Sequence, residues 1–196
     1  VELYALDAAT GEIRWRYRAP NSYGFLPSAV ASLAVAVDGR VGCAFDHGGL
    51  ALLNPDGRME SYHVHHEAVF TLGFVAEGRL VGVSPHGVWD WALPLGEHPR
   101  SLGRFGERIH ASVIGRGWVA ARTLNEIEIR DLETFELIQR HEVGVGAPTL
   151  AAHPIRDEVA FSEETKIVTL ALDGERTTWS CPSLGAPTAL AYGSQL

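Results

Sequence analysis

Nine histidines are spread along the chain, and the densest group of them carries its most reactive-looking chemistry. His63 and His65 alternate, so on an extended segment their imidazoles share a face, with His66 and Glu67 following at a turn. A His-x-His pair on a strand suits zinc or copper, but a stable site needs a third and usually a fourth ligand at fixed geometry. Spacing dictates neither, so the sequence assigns no metal and no cofactor. It also lacks a Gly-x-Ser-x-Gly elbow, a phosphate-binding loop and a His-Glu-x-x-His helix. Gly144-Val145-Gly146 has no third glycine or following helix and reads as a turn.

The elements that must hold these residues recur along the chain. Each copy is a short apolar strand, a polar or glycine turn, a second alternating strand and an Asp/Asn-led turn. The copies are Val41–Phe45 with Leu50–Leu53, Leu80–Ser84 with Val88–Trp91, Val119–Ala121 with Ile127–Arg130, and Val159–Phe161 with Ile167–Leu170. Phe45, Val83, Ala121 and Phe161 hold equivalent places, at steps of 38, 38 and 40 residues. Such a period, built only of short strands, predicts the four-stranded antiparallel blades of an all-β propeller. Four full units lie between about Ala29 and Leu184. Val1 to Arg18 supplies two strands of another and Thr188 to Tyr192 one more. Five blades closed by pairing of the terminal strands is the economical model for one domain over 1–196, since closure removes exposed edges. The alternative is an arc of a ring of six to eight blades; on either reading the domain is expected to be open to membership of a larger multidomain protein.

Composition agrees with a folded chain: 46% of residues are apolar and 20% charged, with 21 glycines and 10 prolines for tight turns. No apolar run reaches the roughly 18 residues of a membrane span. A net charge of −8 argues against a nucleic-acid partner, whose affinity would need clustered Lys and Arg. The best basic candidates, Arg14, Arg16 and Arg18, alternate with Ile13, Trp15 and Tyr17 and read as the solvated face of an outer strand. Glu126, Glu128, Arg130 and Glu133 read as a second solvated face. Trp89, Trp91 and Trp118 read as packing between blades. Cys43 is expected to be a buried free thiol, and it forms no metal or redox spacing with Cys181. That sparing use of cysteine fits the cytoplasm. Because the chain opens on Val1 and its single methionine is Met59, a removed upstream segment is also expected.

Two resemblances sharpen the architecture. In Leu3–Trp15, residues Ala5, Asp7, Thr10, Gly11 and Trp15 resemble the tryptophan-docking motif of pyrroloquinoline-quinone-dehydrogenase-like repeats, which implies that Trp15 packs between adjacent blades. Asp131 to Leu137 keeps the Asp and Thr of that motif but not its glycine. The segment from His66 through Val69, Leu72, Phe74, Gly78, Leu80, Ser84, Gly87, Val88 and Trp89 to Asp90 resembles a WD repeat. That family's buried His, Asp, Ser/Thr and Trp network implies structural roles for His66 and Ser84, although Pro85-His86 displaces the usual acidic turn. The calcium site and neighbouring-cysteine disulfide of the quinone enzymes do not map onto this chain.

Propellers recognise partners on the face formed by the loops between second and third strands and between successive blades. Here those loops bring His47, His66, His86, His110, Arg122, Asn125 and Glu163 to one expected mouth. The resulting expectation is a non-catalytic platform for a protein or peptide. One competing expectation is a small-ligand or metal-dependent enzyme using His47, His66, His86 and His110. Another is a subunit of a bacterial envelope assembly machine, since such lipoproteins share the docking motif.

Overall fold

Alternating apolar and polar residues, broken every five or six positions by a glycine-bearing or Asp-led turn, favour pairing of each segment with the next through a hairpin. The computed structural model describes residues 1–19, 29–76, 78–96, 98–144, 149–180 and 190. Among them are eighteen strands and no helix. The strands form four four-stranded antiparallel sheets and one two-stranded sheet. They divide into two compact units, Val1–Ser101 and Leu102–Leu196.

In the first unit, β1 (Glu2–Leu6) pairs with β2 (Ile13–Arg18). A meander follows from β3 (Val30–Val35) through β4 (Val41–Phe45) and β5 (Gly49–Leu53) to β6 (Met59–Val64). The next is β7 (Thr71–Ala76), β8 (Arg79–Val83), β9 (Val88–Ala92) and β10 (Arg100–Gly103), with the unit boundary falling inside β10. The second unit holds β11 (Ala111–Ile114), β12 (Trp118–Arg122), β13 (Glu126–Asp131) and β14 (Leu137–Glu142). It also holds β15 (Leu150–Ala152), β16 (Glu158–Glu163), β17 (Lys166–Ala171) and β18 (Arg176–Ser180). All four repeat copies read from the sequence fall on the second and third strands of a four-stranded sheet. The expected closing strand over 188–192 lies, except for Leu190, outside the described residues, as does Cys181.

In the β3–β6 sheet the middle strands β4 and β5 carry no charged or polar side chain, because both of their faces are covered. Period two sends Cys43, Phe45, Ala51 and Leu53 to one face, against Tyr17, Trp15 and Leu3. It sends Ala44, Leu50 and Leu52 to the other, against Val69, Leu72, Leu80 and Trp91. In the second unit, Trp118, Ala120, Ile127 and Ile129 meet Val159, Phe161, Val168 and Leu170 in the same way. Cys43 is a fully buried free thiol, its pKa pushed up to about 12 by burial. Trp91 and Trp118 are core residues, as expected. The Trp118 Nε1 donates to Asp157 at 3.1 Å.

The docking turn takes the form its residues dictate. The Asp7 carboxylate accepts from the amides of Ala9 and Thr10 at 2.9 and 3.0 Å, and Gly11 sits at φ +73°. The Arg14 guanidinium, followed by those two amides, holds the Asp7 carboxyl at about 2. Trp15 then lies over the turn of the next sheet, where a Cβ on Gly57 would sit 2.6 Å from the indole. The second copy keeps this turn without the glycine: Asp131 accepts from the amides of Glu133 and Thr134, and Phe135 occupies the fifth position at φ +59°. Ring packing offsets that strained backbone. Phe135 meets Phe105 edge-on at 5.5 Å, and the Arg130 guanidinium lies 5.2 Å from its centroid.

One expectation is corrected. Arg14, Arg16 and Arg18 are exposed on β2 and Glu133 is exposed as expected, but on the second charged face Glu126 and Arg130 are half-buried and Glu128 is not solvated. Glu128 is buried, with one oxygen bound by Arg130 and the other by Arg140, whose side chains cover it. A buried carboxylate requires such partners, and alternation alone does not reveal them.

Gly57→Ala is expected to lower stability by about 1–3 kcal/mol, because the methyl displaces Trp15 and φ of +81° disfavours a side chain. Urea unfolding should show a lower midpoint with an unchanged slope. An unchanged midpoint would contradict this packing.

Candidate functional site

A four-stranded meander places the turn between its second and third strands at the same end as the connections entering the first strand and leaving the fourth. That end of the β3–β6 sheet carries His47, on the β4–β5 turn, and His65, His66 and Glu67, which follow β6. Gly48 allows the close approach. It has φ +87°, a Cβ there would lie 2.3 Å from the His65 carbonyl oxygen, and the His65 amide donates to the Gly48 carbonyl at 2.8 Å. His47 is exposed and shares a 3.2 Å hydrogen bond between its Nε2 and the Tyr62 hydroxyl.

His63 and His65 share a face, as alternation predicts, and both rings meet Trp91, at 6.2 and 5.4 Å. His65 is only 3% exposed, lies 4.7 Å from the Trp89 ring, and has no hydrogen-bond partner on its buried Nε2. Burial first, then the neighbouring His66 and His63, drives its pKa down to about 4 against the opposing pull of Glu67. The imidazole is therefore neutral at physiological pH. His66 is exposed and stands edge-on to Trp89 at 5.1 Å.

The Trp89 Nε1 donates to the Ser84 Oγ at 3.2 Å, and the Ser84 hydroxyl donates to Glu67 Oε2. The His86 Nδ1 donates to Glu67 Oε1 at 3.2 Å. Burial pushes the Glu67 carboxyl up, but the hydrogen bonds from Ser84 and His86 outweigh it and leave the pKa below the ordinary value. Thus Ser84 and Trp89 are linked as the WD-like resemblance implies, while the partner of Ser84 is Glu67 and not His66. The acid missing from the Pro85-His86 turn is supplied by the residue after the histidine. Its adjacency to His66 was the one sequence signal for it. Among the described residues, His65, His66 and Glu67 form one group whose potential metal-ligand atoms all lie within 4.8 Å of one another.

In the second unit, the corresponding end of the β11–β14 sheet carries exposed His110 and Asn125. The His110 amide donates to the Arg122 carbonyl and the Val143 amide to the Asn125 carbonyl, each at 2.8 Å. Arg122, at the place Ser84 holds in its own repeat, is only 2% exposed. Its Nη1 donates to the Ser162 carbonyl at 2.7 Å and its Nη2 to the Gly144 carbonyl at 3.1 Å. Burial lowers the Arg122 pKa, with Glu163 opposing. Glu163 is half-buried and pairs with Arg176 at 2.9 Å. Of the seven residues expected at the loops, the structure brings His66 and His86 together around Glu67, with His47 on the neighbouring turn of the same unit. It places His110, Asn125 and Glu163 on loops and strand ends of the other unit, and Arg122 inside it.

No protein-family model and no curated protein matches the chain. Among solved structures it is similar to the β-propeller domain of Cps50 (Swd1) from Myceliophteria thermophila, with a TM-score of 0.72 and 14% identity. The match covers 87% of this chain and 58% of that one, so this chain spans less than two thirds of that structure. The likeness shows the fold: the four-stranded sheets are the blades of a β-propeller. A propeller scaffold by itself selects no chemistry.

Ser84→Ala is expected to destabilise the fold by about 1–3 kcal/mol, since it strips the Trp89 indole and one Glu67 oxygen of their buried partner. Chemical denaturation checks this. A variant as stable as the parent would show that the hydroxyl holds nothing together.

Proposed function

We propose that residues 1–196 act as a non-catalytic β-propeller domain that binds a protein or peptide through the loop ends of its blades. One observation carries the reading: the loops bearing exposed candidate side chains are already fixed by backbone hydrogen bonds to their own sheets. His65 to Gly48, His110 to Arg122 and Val143 to Asn125 are the bonds in question, each 2.8 Å long. A loop ordered in advance loses little entropy when a partner arrives, so its side chains can convert contact into affinity. His47, His66 and His86 in the first unit, and His110 and Asn125 in the second, are the exposed groups that would make those contacts. Arg122 serves from inside, holding the ends of β12 and β16 and the chain at Gly144 in register. Glu163, already paired with Arg176, would form part of the polar rim.

Cross-linking and affinity capture with the intact protein should identify the partner, after which calorimetry measures the contacts. Alanine at His47, His86, His110 and Asn125 together is expected to weaken binding at least tenfold, about 1.4 kcal/mol, with the all-β fold retained by circular dichroism. Undiminished affinity in that variant, or loss only on changing the outer strands, would contradict the assignment.

A further inference from the structure

Around Glu67 the first unit has built more than partner recognition requires. His65, His66 and Glu67 are consecutive, yet the turn after β6 leaves one potential ligand atom of each within 4.8 Å of the other two. Tetrahedral zinc with bonds of about 2.0–2.2 Å needs ligand atoms about 3.3–3.6 Å apart. Two of the three side chains are held. His65 is walled in by Trp89 and Trp91 and fixed through its backbone to Gly48. The Glu67 carboxylate is oriented by the Ser84 hydroxyl and the His86 imidazole. His66 is exposed and supplies the rotation that closes the remaining distance.

A second observation is the His65 Nε2, one of four buried side-chain polar atoms without a hydrogen-bond partner among the described residues and the one that belongs to this group. It is buried, on a side chain only 3% exposed, and lacks any hydrogen-bond partner. A polar atom in that state costs free energy unless something occupies its lone pair or takes its proton. We propose that His65, His66 and Glu67 bind one zinc ion, leaving its fourth coordination position to water or an incoming donor. Two imidazoles and a carboxylate are a donor set suited to zinc with an open site. The Ser84 and His86 contacts to Glu67 are the outer support that such ligands need, and the two indoles exclude solvent from one side. The proposal does not rest on the partner-binding reading, because it concerns the isolated chain and an inorganic ion.

The test is calorimetric titration of chelator-treated, folded protein with zinc sulfate, paired with visible spectroscopy after loading cobalt(II). One zinc per chain is expected, and the cobalt spectrum should be that of a four-coordinate ion. His66→Ala and Glu67→Gln should each weaken zinc at least tenfold. His66 is exposed, so its variant should fold, and circular dichroism confirms this. No zinc uptake by the folded parent would overturn the proposal. So would undiminished binding in both variants, which would locate the ion elsewhere among the histidines.

Discussion

Everything in this molecule depends on covering both faces of the two middle strands of each blade. A strand buried on one side can alternate apolar and polar residues, but β4 and β5 have neighbours on both sides and alternate only in which neighbour they touch. The same constraint explains why glycines stand where an aromatic ring crosses a turn, as Trp15 does at Gly57. It also explains why the charged groups that enter these layers arrive with partners, as Glu128 does with Arg130 and Arg140, and Arg122 with two carbonyl groups.

Fold information was legible because it is periodic. A step of 38 to 40 residues, an Asp-led turn and apolar runs of strand length need no tertiary knowledge to read, and they placed the second and third strands of the four four-stranded sheets. What escaped was what depends on side chains distant in sequence. Glu128 looked like a solvated residue because Arg140 is far along the chain on the next strand. Phe135 looked like a loss of the docking motif, yet packing with Phe105 and Arg130 supports the glycine-like backbone there.

The site was legible in part for the same reason. Alternation correctly gave His63 and His65 a common face, and the repeat put His47 and His86 on turns between middle strands. It could not show that Glu67 would become the hub joining Ser84 and His86, because three segments of the chain meet there. Nor could it separate Arg122, turned inward, from Asn125, turned outward, only three residues later. Scaffold and site are thus linked through backbone: the hydrogen bonds that end each strand pair also order the loops that would meet a partner.

Amide hydrogen exchange on the intact chain tests the central claim most directly. Layered blades predict the slowest exchange in β4, β5, β8, β9, β12, β13, β16 and β17, with the exposed outer strands β14 and β18 exchanging faster. Strongest protection in those outer strands, or no difference between middle and outer strands, would contradict an architecture held together by covering the middle strands on both faces.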